Sequence, residues 1–158
     1  MQTILAPWRI GYILGSREKD CFLCVKRTKG YQKRHYILRE TATCYLMLNK
    51  YPYSAAHAMV VPRRHIADLD SFETGELHDF IMLTRDASRI LKKAVGAQGL
   101  NLGANLGKAA GAGLKDHFHF HIVPRWDGDH NFMPVLAKTY VLPEYLDDTY
   151  ERLLPYFE

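Results

Sequence analysis

His117-Phe118-His119-Phe120-His121-Ile122-Val123 alternates imidazoles with apolar side chains. In a β-strand, residues i, i+2 and i+4 share one face. The run therefore predicts a strand with His117, His119 and His121 on one side. Phe118, Phe120 and Ile122 lie on the other, which can enter a core. The histidine side presents groups that titrate near neutral pH. Such a row suits two tasks, binding a metal or handling a phosphate.

The neighbouring segments give the strand its setting. Pro124 is expected to end it, because proline lacks the ladder donor. The glycine-rich stretch Gly107 to Gly113 leads into it, and Leu100 to Leu106 reads as the strand before that loop. Asp70 to Ala97 predicts a long helix. Leu77, Phe80, Leu83, Ala87, Ile90, Leu91 and Ala94 recur there at three- and four-residue steps. Asp70 followed by Glu73 resembles a capping box. Gly96 and Gly99 lie where the helix should stop. Upstream, His35 to Arg39 and Cys44 to Leu48 read as strands joined by a polar turn at Glu40 to Thr43, and Ala58 to Val61 reads as a third strand ended by Pro62. Pro143 to Tyr156 predicts a short C-terminal helix. Strands outnumber helices, and the first three are consecutive. The expected class is α+β, a mostly antiparallel five-stranded sheet with the long helix packed on one face.

Composition bounds the possibilities. A chain of 158 residues, 47% hydrophobic, fits one domain with a sizeable core. We divide it into an arm over residues 1–20 anchored by Leu5, Trp8, Ile10 and Ile13, a core over 21–126 and a C-terminal extension over 127–158. The net charge of +4 is mild and spread along the chain. It favours anionic ligands weakly and is no nucleic-acid footprint. The densest basic stretch, Lys26-Arg27-Thr28-Lys29 with Lys33-Arg34, reads as a solvated loop. No apolar run reaches the roughly 18–20 residues needed to span a bilayer. Trp8 and Arg9 break any signal-peptide core. With three cysteines, an odd count, the expected compartment is the cytosol and the thiols are expected reduced or metal-bound.

A neutral imidazole is a good nucleophile near pH 7. Attack on phosphorus gives a phosphoramidate that a second nucleophile can cleave, and neighbouring imidazoles can hold phosphate oxygens. Gly107, Gly111 and Gly113 could offer backbone N–H groups to a polyphosphate. Cys21-Phe22-Leu23-Cys24 has the spacing of half a zinc site. A redox role for it lacks the strand and helix such a motif needs. His65, after Pro62-Arg63-Arg64, and His117 are candidates for the other two ligands. A catalytic zinc on His117, His119 and His121 is the competing arrangement, and it leaves the cysteine pair unexplained. Cys44 lies within a strand and reads as a buried apolar residue.

The run from His117 to Val123 fits the signature of the histidine-triad family, His-φ-His-φ-His-φ-φ with φ apolar. The resemblance extends to Asn49, to Ala56-His57-Ala58-Met59-Val60-Val61-Pro62, to Asn105-Leu106-Gly107 and to Pro124-Arg125. Together these cover roughly residues 20–126. The flanks, Leu5-Ala6-Pro7-Trp8-Arg9, Ala110-Gly111-Ala112-Gly113 and Pro124-Arg125-Trp126 through Asn131-Phe132-Met133-Pro134, resemble bacterial diadenosine tetraphosphate phosphorylases. These are close to the fragile-histidine-triad branch. That branch carries a glutamine in a Gly-Gln-x-Val loop, where this chain has Ala112 and Gly113.

The resemblance implies a nucleotidyl enzyme cleaving dinucleoside polyphosphates, with His119 as the nucleophile that takes up the nucleotidyl group. It places His121 on the phosphates and the leaving group, and His57 beside them. Asn49 would contact the ribose. Asn105 and the backbone of Gly111, Ala112 and Gly113 would hold phosphates, and Trp126 would either gate the acceptor side or belong to the core. It implies a structural zinc on Cys21, Cys24, His65 and His117, and a homodimer joined sheet to sheet. The expected partners are a nucleotide and inorganic phosphate, with no nucleic acid and no membrane. Hydrolysis or phosphoramidase activity is the alternative chemistry. The other class is a nucleotide-binding signalling protein with incidental turnover.

Overall fold

The computed structural model describes residues 21–129 and 144–158. The expected arm over 1–20 and the stretch 130–143 lie outside the described residues. Five strands form one antiparallel sheet: β1 (Ile37–Glu40), β2 (Cys44–Leu48), β3 (Ala58–Pro62), β4 (Gly99–Gly103) and β5 (Phe120–Arg125), in the order β1-β2-β3-β5-β4. The helices are a single turn α1 (Tyr31–Arg34), the long α2 (Thr74–Ala94) and α3 (Leu146–Leu153). The expected α+β class is the observed one.

Strands β2 and β3 are buried along their whole length, so the sheet is covered on both sides there. Register explains the division. Leu46 pairs with Val60 and Leu48 with Ala58, and these face a core built with Phe80, Leu83, Ala87 and Leu91 of α2. Tyr150 and Leu153 of α3, and Phe157 after it, close the same core. The alternate positions, Tyr45 opposite Val61 and Met47 opposite Met59, face a smaller cluster capped by Leu23. The cysteine knuckle thus sits on the side away from α2. Phe118 and Ile122 enter the larger core, as the alternation predicts.

Helix α2 is shorter than its periodicity predicts. Phe72 is extended, φ −73° and ψ 138°, because its ring joins an edge-on cluster with Phe80 and Phe118 at centroid distances of 5.4 Å each. The helix therefore starts after it. Asp68, not Asp70, caps the preceding turn by accepting the Ser71 N–H at 3.1 Å. Glu76 reaches back to the Glu73 N–H at 3.0 Å, so the capping interaction falls three residues later than Asp70–Glu73. Leu77 is 40% exposed and outside the buried stripe, where Thr84 lies instead. At the other end Gly96 adopts φ +61° and the Ala97 N–H returns to the Lys92 carbonyl, a Schellman stop. Gly99 begins β4 rather than ending the helix.

Two prolines expected to end strands are paired within them. Pro62 pairs with Cys44, and Pro124 with Leu100. The Pro124 carbonyl accepts the Ser54 hydroxyl at 2.9 Å, on the side where β3 lies. The first β3 residue pairs only as far as Ile122. The donor that Pro124 lacks thus falls beyond the end of β3, where no ladder bond is lost. No helix among the described residues is long and apolar enough to cross a membrane.

Candidate active site and metal centre

The first two triad histidines precede β5, which starts at Phe120 and not at the start of the histidine run; this lead-in is tied by the Phe118 N–H to the Ile66 carbonyl at 2.6 Å. His117 is buried. Its Nε2 lies 2.9 Å from the Pro62 carbonyl, which can only accept, so the proton is on Nε2. The Nδ1 lone pair then faces Cys21 Sγ at 3.3 Å and Cys24 Sγ at 3.5 Å. Cys24 Sγ also lies 3.2 Å from His65 Nδ1. All four donor atoms fall within 4.8 Å of one another. A tetrahedral ion with bonds of about 2.0–2.3 Å sets its ligands roughly 3.3–3.8 Å apart, close to the three contacts of 3.2–3.5 Å. Burial pushes the His117 pKa down, favouring the neutral ring that metal ligation needs.

His119 is half-buried, and its Nδ1 lies 2.9 Å from the His117 carbonyl. That bond puts the proton on Nδ1 and leaves Nε2 with a free lone pair. The same logic fixes the next pair. The Tyr53 N–H donates to His57 Nδ1 at 3.1 Å, so neutral His57 carries its proton on Nε2. That proton points at His121 Nδ1, 2.9 Å away. His121 must accept there and carries its own proton on Nε2. Burial, with the nearby charges of His121 and His119, takes His57 down to about 3. Burial and then His119 take His121 down to about 4. Both rings are therefore neutral at pH 7. His119 and His121 lie edge to face with centroids 5.0 Å apart. The site combines an imidazole lone pair with an adjacent fixed N–H donor.

The turn between β2 and β3 is stapled at several points. Asn49 N–H bonds the His57 carbonyl at 2.8 Å, and Asn49 Oδ1 accepts the Tyr51 N–H at 2.9 Å. Asn49 is thus placed beside His57, with its carbonyl oxygen engaged locally. Ala56 is buried at φ +56°, a strained left-handed conformation next to His57.

Asn105 lies two residues beyond Gly103, the partner of His121 across β4 and β5. The glycine-rich loop makes a turn of its own. The Gly111 N–H bonds the Lys108 carbonyl at 3.0 Å, and the Ala112 N–H bonds the Gly107 carbonyl at 3.3 Å. Gly107 at φ +79° and Gly111 at φ +84° make that turn possible. The amides of Gly111 and Ala112 are consequently engaged within the loop, whereas the resemblance implies that both face phosphates. Trp126 lies seven residues past His119, about 23 Å along an extended strand. Its indole N–H meets the Val95 carbonyl at 3.3 Å, and it lines a 340 Å³ cleft with Gln98, Arg125 and Asp129. Within one chain it is not brought to the histidines.

Sequence reasoning missed the main-chain partners: the carbonyls of Pro62, Ile66 and His117 and the amide of Tyr53. Backbone groups carry no side-chain signature. The only available hint was that Tyr53 precedes His57 by four residues.

The sequence matches the HIT domain over residues 31–128. It is 42% identical over 110 residues to an AP-4-A phosphorylase of Mycobacterium tuberculosis, covering 70% of this chain and 56% of that protein. The chain thus spans about half the length of that relative. A hypothetical histidine triad nucleotide-binding protein of Sulfolobus tokodaii superposes with a TM-score of 0.66 at 28% identity, covering 87% of this chain and 89% of that one. A Zn-bound histidine triad family protein of Mycobacterium smegmatis shares the fold, with a TM-score of 0.63 at 22% identity over 78% of this chain and 84% of that one. By its domain match, its fold and its four ordered histidines, the chain belongs to the histidine-triad (HIT domain) family.

Proposed function

We propose that this protein is a nucleotidyl phosphorylase that converts diadenosine tetraphosphate and inorganic phosphate to ATP and ADP. The observation carrying the reading is the pair of opposed ring nitrogens, a lone pair on His119 Nε2 beside a proton on His121 Nε2. In the first step His119 Nε2 attacks an α-phosphorus. The bond from that phosphorus to the bridging oxygen breaks, and ATP departs with the oxygen. His121 Nε2–H, held in place through His57, donates a hydrogen bond to the phosphate oxygens as charge builds on them. An oxygen of inorganic phosphate then attacks the phosphoramidate, forming ADP and returning the electron pair to His119 Nε2. Asn49 and Asn105 contact the nucleotide, and the Gly113 amide meets a phosphate. The relative of 42% identity bears the same activity in its name.

Zinc fits the Cys21, Cys24, His65 and His117 set, because two thiolates and two neutral imidazoles suit it in number, softness and spacing. The set has no open position, so the ion supplies cross-linking only. It would hold the knuckle against the lead-in whose His117 carbonyl orients His119. We further propose a cytoplasmic homodimer joined at the β4 edge. That strand is the sheet edge, and Leu102 on it is 49% exposed, which gives apolar surface.

The test is product analysis with diadenosine tetraphosphate, with and without phosphate, resolved by chromatography. ATP plus ADP appearing only with phosphate is the expected result. Phosphate-independent AMP plus ATP makes the enzyme a hydrolase. No turnover of any dinucleotide moves the chain to the binding class.

A further inference from the structure

Tyr53 is a residue whose side chain no catalytic argument has used. The residue is 55% exposed, so about half of its surface is covered. What covers it is the histidine pair. The ring centroid lies 4.6 Å from that of His57 at an interplanar angle of 39°, and 5.7 Å from that of His121 at 38°. The three rings form a tilted stack, since His57 and His121 are themselves 5.0 Å apart. Tyr53 also supplies the amide that fixes the His57 tautomer. One residue therefore meets the pair twice, through its backbone at one ring nitrogen and through its ring against both imidazoles. The turn keeps it there: the Ser54 hydroxyl bonds Pro124 of β5, and the His57 N–H returns to Ser54.

We propose that Tyr53 is a positioning residue of the active site, whose ring screens the His57–His121 hydrogen bond from water and holds His121 in the Nε2–H form that meets the phosphates. Removing the ring leaves the Tyr53 amide in place but opens the histidine pair to solvent. Water then competes for His57 Nε2–H and for His121 Nδ1. Once Nδ1 has a donor and an acceptor to choose from, His121 no longer has one required tautomer. The phenol hydroxyl has no part in this, so phenylalanine serves as well as tyrosine. His119 is the other titratable ring facing His121, and its tautomer is fixed separately by the His117 carbonyl.

The inference rests on the proposed reaction only for its kinetic consequence. The direct test is long-range nitrogen–proton NMR of the imidazoles in the full chain, for wild type, Tyr53→Phe and Tyr53→Ala. Wild type and Tyr53→Phe should show His57 and His121 each as a single Nε2–H tautomer. Tyr53→Ala should keep the sheet amide pattern but lose the single-tautomer signal at His121. Its kcat should fall about tenfold, with KM within about twofold, in line with loss of an oriented proton donor. A wild-type His121 protonated on Nδ1 overturns the proposal whatever the variants do. So does an unchanged His121 signal in Tyr53→Ala. A chain that shows the expected spectra but turns over no dinucleotide would lose the phosphorylase reading and keep this one.

Discussion

Tyr45→Phe tests whether the knuckle is held by its own fold or by its metal. Tyr45 is 1% exposed in the smaller core cluster, and its hydroxyl donates to the carbonyl of Leu23, which is wholly buried between the two cysteines. Phenylalanine keeps the ring and its packing opposite Val61. It removes the donor from a carbonyl that no water reaches. Leaving such an acceptor unpaired costs about 1–3 kcal/mol. The cost is not shared equally between the two metal states. With zinc bound, Cys21 and Cys24 are fixed and Leu23 cannot turn its carbonyl outward. Stripped of zinc, the knuckle can open and relieve most of the penalty locally. The variant should therefore bind zinc about tenfold more weakly for each 1.4 kcal/mol felt only by the loaded form. Competition with a chromophoric chelator reads that affinity. Thermal unfolding with and without chelator should show a smaller gap between loaded and stripped protein than in wild type. An unchanged zinc affinity, with equal loss of Tm in both states, refutes the reasoning.

His119→Asn removes the proposed nucleophile and should abolish turnover while nucleotide affinity, read by calorimetry, stays within about threefold of wild type. Cys24→Ser should lower zinc stoichiometry, measured by elemental analysis, since Cys24 touches both His65 and His117. Stability should fall as pH drops from about 6.5 toward 4. His57 and His121 are held neutral by burial in the folded state, to about 3 and about 4 respectively, while unfolded histidine takes up protons near 6.5. The unfolded chain binds more protons in that window, so unfolding is favoured as pH falls. Denaturant midpoints across pH 4–7 should slope upward, and His57→Gln should flatten the slope. Leu102→Asp places a charge on the β4 edge and should give a monomer mass by light scattering, against the doubled mass that the proposed dimer predicts for the wild type.

Much of the architecture is readable from side-chain pattern. Strand β2 falls at Cys44 to Leu48, directly after the polar turn that bounds it in sequence. The faces of the histidine run divide as period two requires, with Phe118 and Ile122 in the core. The cysteine pair, His65 and His117 also converge as their residue types imply. What escapes the pattern is set by packing or by main chain. Helix α2 starts late because the Phe72 ring is worth more in an aromatic cluster than in another helical turn. Leu77 fits the helical period yet lies outside the core. The tautomers of His117 and His119 depend on backbone carbonyls, and that of His121 depends on His57, itself set by the Tyr53 amide; no sequence motif displays those backbone groups. The glycine loop turns its amides inward because composition signals a tight turn without saying which carbonyl each amide will meet.

The place of β5 in the sheet has a consequence for the order of assembly. It lies between β3 and β4, so neither has its inner neighbour until residues 120–125 arrive. Strands β1, β2 and β3 can zip as consecutive hairpins while the rest of the chain is still being made. Strand β4 must wait, and the join of Val60 to Phe120 closes a loop of about sixty residues, a slow kind of contact to form. Pulse-labelled hydrogen exchange during refolding should therefore protect the amides of β2 first and those of β4 last. Catalytic competence should appear with β4 protection, because His57 and His121 become neighbours in that same closing event.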